Sequence, residues 1–301
     1  VGIKKWKKVE REEPIEEDVQ VEKSNVEVWH AKDLQVIPEQ KLRERQFREK
    51  NWLAAWQLDS GRFVRLGDDK QIQDVWPVSN SRFAIGLDVN PYERSAMFGR
   101  GRRDVYVIDV NSGERKKILE ALHGGPQFPD LLLNASSGGR YILYLKDNDY
   151  WTYDLETGKH VNLTEDIETS FVNWEDDHPV DQKPPYGIAG WQEGDEAVLL
   201  HDKYDLWEVR PDGSGAKRLT EGSQQQIQHR YVKLDPDEEF IDRAKPLYLS
   251  LYGEWSKKFG FARLGANSEP EQLAWSDRKL QQLTKASDAD VYAYIAENFA
   301  D

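Results

Sequence analysis

A repeat with a period of about fifty residues constrains this chain more than any other feature. Four segments share one design: an apolar-alternating strand, a tight turn closed by glycine, and a second alternating strand. They cover residues 53–66, 105–119, 150–164 and 205–220. Each reads as a β-hairpin, because Ser-Gly, Thr-Gly or Asp-Gly supplies the positive φ that short hairpin turns require. A weaker fifth copy runs over 259–275, so the turn glycines Gly61, Gly113, Gly158, Gly213 and Gly265 lie 52, 45, 55 and 52 residues apart. Upstream of most hairpins a polar turn leads into one more strand, at 79–85, 137–144, 193–200 and 235–241. One such turn-and-strand plus one hairpin makes a four-stranded unit, and four-stranded units at this period are the signature of propeller blades. A β-sandwich would not repeat the same turn chemistry in the same order four times. The predicted fold is all-β: a β-propeller of four-stranded antiparallel blades. Five to six blades are visible, with 288–295 placed to open the last, as a small whole propeller or an arc of a larger one.

Composition narrows the function classes. With 55 Asp+Glu against 41 Lys+Arg, a net charge of −14 argues against a general nucleic-acid binder, which needs a positive surface. Mean hydropathy is −0.80, and no apolar run approaches the ~18–20 residues of a membrane-spanning helix. The absence of cysteine excludes disulfides, thiolate-held zinc, iron–sulfur clusters and thiol nucleophiles. Eleven Trp, 13 Tyr and 10 Phe suit a β-rich chain, since aromatic side chains pack well on pleated surfaces. Residues 1–22 form a charged N-terminal lead and 23–301 carry the repeats; the opening Val1 reads as a processed or excised end.

Two stretches break the rhythm. Residues 40–50 (QKLRERQFREK) suit a short surface helix or a long polar edge strand. Residues 171–191 form a long connection with three prolines, and long loops between regular elements often carry function. Within it Glu175, Asp177 and His178 suit acid–base work or the anchoring of a peptide amine, or else an acidic loop turned to water. Tyr186 and Trp191 give the same loop aromatic surface. In a second excursion stand Tyr92 and Arg94, where Arg94 can pair a partner's carboxylate or make a structural ion pair. These six residues, Tyr92, Arg94, Glu175, Asp177, His178 and Tyr186, are the binding candidates.

No catalytic residue, metal ligand or cofactor is assigned. The six histidines show neither i,i+4 nor His-x-His spacing. His123-Gly124-Gly125-Pro126 reads as an inter-blade turn, because no nucleophile follows it. His160 and His201 are expected on blade strands as hydrogen-bonded side chains, and Trp56, Tyr106, Trp151, Tyr153 and Trp207 as blade packing.

The repeat unit resembles the propeller repeats of TolB-type proteins and of the N-terminal domains of the prolyl oligopeptidase family of serine peptidases. The closer resemblance is to a bacterial branch of that family. It is carried by VEVWH at 26–30, by YER at 92–94 with RDVYVID at 103–109, by DHP at 177–179 with PPYGIAGW at 184–191, and by AVLLHDKYDLW at 197–207. The resemblance implies a propeller serving as lid over an α/β-hydrolase domain with a Ser-Asp-His triad. This chain contains no Gly-x-Ser-x-Gly, whose glycines a nucleophile elbow needs, nor any strand–helix alternation for a hydrolase sheet. The expectation is therefore a non-catalytic, substrate-gating domain, inactive alone. Its expected partners are the hydrolase domain of the same parent chain and short peptides, and the family favours a periplasmic or secreted location. Two alternatives remain: a stand-alone TolB-type propeller binding a protein or peptide, and a propeller lyase or hydrolase with its own metal site.

Overall fold

The structure, a computed structural model, describes residues 2–4, 26–99, 101–124, 133–180, 182–266 and 268–298. The chain divides into two compact units, Val1–Pro77 with Arg82–Pro126, and Val78–Ser81 with Gln127–Asp301. Of the charged lead expected at 1–22, residues 2–4 are a strand and the rest lies outside the described residues.

In the first unit β1 (Gly2–Lys4), β2 (Asn51–Trp56) and β3 (Phe63–Arg65) form a three-stranded sheet, and a helix, α1 (Ile37–Arg48), precedes β2. A four-stranded sheet follows from β4 (Asp74–Pro77), β5 (Phe83–Asp88), β6 (Arg102–Asp109) and β7 (Arg115–His123), with the one-turn helix α2 (Glu93–Ala96) between β5 and β6. The second unit holds three more four-stranded sheets. They are β8 (Leu133–Ala135), β9 (Tyr141–Lys146), β10 (Asp149–Asp154) and β11 (His160–Asn162); β12 (Ile188–Trp191), β13 (Val198–His201), β14 (Leu206–Val209) and β15 (Ala216–Arg218); and β16 (Ile227–Tyr231), β17 (Leu247–Gly253), β18 (Phe259–Leu264) and β19 (Glu271–Ser276). A two-stranded sheet of β20 (Lys279–Lys285) and β21 (Tyr292–Glu297) ends the described chain. Strands follow in sequence order within each sheet and every ladder is antiparallel, the pattern of propeller blades.

Two side-chain devices write the repeat. At the β6–β7 and β10–β11 hairpins an aspartate folds the turn: Asp109 Oδ1 accepts the N–H of Asn111 and Ser112, and Asp154 Oδ1 those of Glu156 and Thr157. Gly113 and Gly158 then take φ of 80° and 71°, where a Cβ would be strained. Arginines of the preceding polar turns pair with those aspartates, Arg82 with Asp109 at 3.5 Å and Arg140 with Asp154 at 2.9 Å. The second device ends a hairpin on Leu-Thr. The Thr164 hydroxyl accepts from Tyr150 N and donates to Asp149, and Thr220 does the same between Leu206 N and Asp205.

Packing explains why several middle strands are apolar on both faces. All four residues of β13 are buried; Val198 and Leu200 join Tyr141, Leu143 and Leu145 of β9, while Leu199 joins Leu249 of β17 and Leu264 of β18. A sheet sandwiched between two others buries both faces, and each fully buried leucine contributes about 1.5–3 kcal/mol. In the first unit Val64, Leu66, Ile72, Ala84, Tyr106 and Ile108 form the corresponding core.

Several expectations need correction. Of the two readings of 40–50, the short surface helix is borne out as far as Arg48, with no buried residue and laced by Glu39–Arg43, Glu44–Arg48 and Arg45–Glu49 pairs, and the edge strand is not. The 235–241 stretch is no ladder strand: Asp235 caps a turn, and buried Ile241 is drawn to the neighbouring sheet, bonding Trp191 O and bridging to Gln192. The ladder resumes at β17, where Leu247, Leu249 and Leu251 alternate inward. Gly265 is not at positive φ, because the β18–β19 connection is longer than a tight turn. Residues 288–295 do not open a sheet but lead into β21, the partner of β20. Trp56 is 58% exposed opposite exposed Phe63, not blade packing. β7 ends at His123; Gly125 and Pro126 lie outside the described residues.

Candidate functional site

In the first unit Tyr92 closes a 3₁₀ turn (Asn90–Tyr92), and its hydroxyl donates to Asp104 Oδ1 at 2.6 Å. Asp104 is buried on β6 and also accepts from Lys117 Nζ (2.5 Å) and Ala121 N (3.0 Å). Burial alone would raise its carboxyl, but these donors outweigh burial and hold it below the usual carboxylate range. Burial, with donation to Asp104, pushes the Tyr92 phenol up to about 12. Tyr92 is thus engaged in holding its own excursion against β6. Arg94 stands exposed on α2 and makes no ion pair among the described residues.

In the second unit the long loop is pinned at its base. Phe171 and Val172 are buried, Asn173 N donates to Pro184 O, Tyr186 N donates to Phe171 O, and Val172 bridges to Pro185. Pro184 and Pro185 lack N–H groups, so this return strand offers carbonyls without leaving donors unpaired. The tip is left to water: Trp174 is 59% exposed and the Asp177 side chain fully so. His178 Nδ1 lies 3.0 Å from Asp176 and 3.9 Å from Asp177.

Glu175 reaches a second feature, the β13–β14 turn, and Tyr186 lies against Arg230 beneath it. Asp202 is buried there and its carboxylate accepts from Tyr204 N, Asp205 N, Trp207 Nε1 and the Thr169 hydroxyl. Asp205, also buried, accepts from Thr220 Oγ1, Gly222 N and Ser223 N. Both aspartates and Trp207 are therefore consumed by scaffolding, and the turn presents Lys203 and Tyr204. Lys203 Nζ is held by Glu175 Oε1 at 2.6 Å and Glu254 Oε1 at 3.3 Å, and Tyr204 donates to Glu254 Oε2 at 2.5 Å. The Glu175 carboxylate raises the Lys203 ammonium above its usual range, and the Tyr204 hydroxyl lowers the Glu254 carboxyl, so the Lys203–Glu254 pair is fully charged at neutral pH. Beneath them Arg230 of β16 donates to Lys203 O (2.7 Å) and His229 O (3.1 Å), and its guanidinium lies 5.8 Å from the Tyr186 ring. His201 is 5% exposed with no partner at Nδ1; burial, reinforced by the charge of Arg230, lowers its imidazole to about 3.

Of the six sequence candidates, the structure brings Glu175 and Tyr186 together around Lys203 and Arg230. Asp177 and His178 stay on the outer turn of their loop, and Tyr92 and Arg94 belong to the other unit. Sequence reasoning missed Lys203, Tyr204, Arg230, Glu254 and His201 as site residues. It also missed the two exposed tryptophans, Trp174 and Trp255, each next in sequence to a glutamate on Lys203. For Lys203 and Tyr204 the signal was present, since an aspartate-capped turn exposes the residues that follow it. For Glu254 and Trp255 nothing local marked them.

Chemically the arrangement sets together a protonated amine between two carboxylates, an Arg–Tyr contact and exposed indoles, groups able to pair with the charged and apolar parts of a ligand. Among the described residues no group of three or more His, Asp or Glu is placed to hold a metal ion.

No family model matches the sequence. Among solved structures the chain is similar to dipeptidyl peptidase 4 of Porphyromonas gingivalis, at 15% identity and a TM-score of 0.45 over 81% of this chain and 40% of that one. It is similar to a putative TolB from Agrobacterium tumefaciens, at 12% identity and a TM-score of 0.38 over 74% of this chain and 80% of that one. It is similar also to a puromycin hydrolase, at 13% identity and a TM-score of 0.41 over 82% of this chain and 38% of that one. The chain thus spans about two fifths of the length of the dipeptidyl peptidase and the hydrolase.

Proposed function

We propose that this chain is the non-catalytic, substrate-gating propeller domain of a prolyl oligopeptidase-like serine peptidase, and that it meets short peptides on the face built around Lys203. One observation carries the reading: the two most specific motifs of the family resemblance, 184–191 and 197–207, converge there. Pro184 and Pro185 close the loop, Tyr186 lies against Arg230, and the DKYD turn supplies Lys203 and Tyr204. A peptide's charged ends and amides find complementary groups in Glu175, Lys203 and Glu254, and its side chains find Trp174 and Trp255. The absence of a Gly-x-Ser-x-Gly from the sequence supports a role without its own nucleophile. The second reading, a stand-alone TolB-type propeller that binds a protein or peptide partner, rests on the same recognition surface.

The test has two parts. A fluorophosphonate probe should leave the chain unlabelled, and short peptides should quench its tryptophan fluorescence in a manner lost in Lys203→Met; labelling of a serine within the chain overturns the reading. Reading the coding frame past Asp301 separates the two forms. A Gly-x-Ser-x-Gly in strand–helix context is expected for the gating domain, and a stop codon leaves the stand-alone binder.

A further inference from the structure

A cleft of about 780 Å³ opens between β15 and the sheet β16–β19, within the size range of small-molecule sites. None of Glu175, Tyr186, Lys203, Tyr204, Arg230 and Glu254 lines it, although Thr220, Gly222 and His229, which support that face from beneath, do. Its floor is apolar, formed by buried Leu251, Ala262 and Leu264. Arg243 lines it in an incompletely satisfied state. Its Nε faces Glu208 at 3.3 Å and its Nη2 donates to Ala266 O at 3.3 Å, whereas Nη1 is buried with no hydrogen-bond partner. A buried guanidinium donor left unmade is costly, and a ligand acceptor is the economical remedy. Lys217, exposed on β15, also lines the cleft and makes no ion pair among the described residues. Of the carboxylates nearby, Glu221 faces Arg218 at 3.7 Å and Glu208 is taken by Arg243, while Glu269 stands on the rim.

We propose that this cleft binds a small organic carboxylate with an apolar body, its carboxylate taken by Arg243 with Lys217 adding positive charge at the rim, and its body lying on Leu251, Ala262 and Leu264. A singly charged head group is favoured over a phosphate, because Glu208 already neutralises part of the guanidinium and one Nη1 donor remains.

N-acetyl-leucine and N-acetyl-leucinamide share one body and differ in charge, so titrating each into the whole chain tests the anchor. Methyl NMR of Leu251 and Leu264 reads whether the ligand occupies this cleft. The acid should shift both sets of methyls, the amide should bind at least tenfold more weakly, and Lys217→Gln should weaken the acid several-fold while leaving the amide unchanged. Arg243→Gln should bring the acid down to the level of the amide. Because that change frees Glu208, Lys217→Gln on the protein surface keeps the test valid if Arg243→Gln fails to fold. Equal binding of acid and amide, no binding of either, or binding without a shift at Leu251 and Leu264 overturns the proposal.

Discussion

Removing the imidazole of His201 should flatten the dependence of stability on pH. His201 sits on β13 at 5% exposure beside Arg230 and His229, and Asp202 and Asp205 lie near that arginine. Desolvation and the Arg230 charge hold its imidazole at about 3, against 6.5 for an unperturbed histidine. Below pH 6.5 the unfolded chain binds a proton at this residue that the folded chain refuses. The associated stability is therefore fully present above pH 6.5 and is lost as the pH falls toward 3. At ~1.4 kcal/mol per pH unit, the loss reaches ~2 kcal/mol at pH 5. The assay is denaturant unfolding of the chain and of His201→Leu at pH 7.5 and pH 5.0, followed by tryptophan fluorescence. His229 and every carboxylate titrate in both proteins, so the difference of differences reports His201. The variant should lose ~2 kcal/mol less than the parent across this interval. An NMR titration in which the His201 ring stays neutral at pH 5 is the matching local readout. Parallel pH profiles for the two proteins, or a ring that protonates near pH 6, would refute the reasoning.

Three further outcomes follow from the packing and the turn. Asp205→Ala strands the Thr220 hydroxyl and the N–H groups of Gly222 and Ser223, and should cost about 3–5 kcal/mol in denaturant unfolding. Leu199→Ala opens a cavity between the sheets β12–β15 and β16–β19, and should cost about 2–5 kcal/mol by the same measurement. Lys203→Met should change stability by no more than about 1 kcal/mol, because its partner Glu175 is largely exposed, yet weaken peptide binding at least about tenfold. A variant that loses folding and binding together would show Lys203 to be scaffold.

The repeat was legible because the chemistry that writes it is local. Asp109 and Asp154 cap hairpin turns within their own few residues, and Thr164 and Thr220 reach back 15 residues to close their own hairpins. Where partners lie in other sheets, local pattern gave less. Nothing near Ile241 announces that it joins the β12 neighbourhood instead of starting a strand, and Trp56 carries the same alternation as core aromatics while standing at an exposed strand end. The site follows the same logic. The 171–191 loop was found from its length and prolines, and Glu175 and Tyr186 with it. Glu254 and Arg230 come from β17–β18 and β16, and only the stacking of one sheet on the next brings them to Lys203.

Comparison of equivalent turns shows why this face is suited to recognition. Between β9 and β10 the chain reverses in two residues, Asp147 and Asn148, with φ of 55° and 69°, the mirror-image turn that strand twist prefers. Such a turn presents almost nothing. Between β13 and β14 the equivalent reversal spans Asp202 to Asp205, and the extra length is held by the Asp202 carboxylate, not by backbone pairing alone. Between β17 and β18 it lengthens again and carries Glu254 and Trp255. A blade gains no core from these insertions, since Lys203, Tyr204 and Trp255 are absent from every buried cluster. They add charge and aromatic surface at one end of adjacent sheets, while the Asp205–Thr220 and Asp149–Thr164 clasps keep the strands in place. Residues at the turn tips can therefore be exchanged without disturbing the ladder beneath, and the scaffold is separable from the surface proposed for recognition.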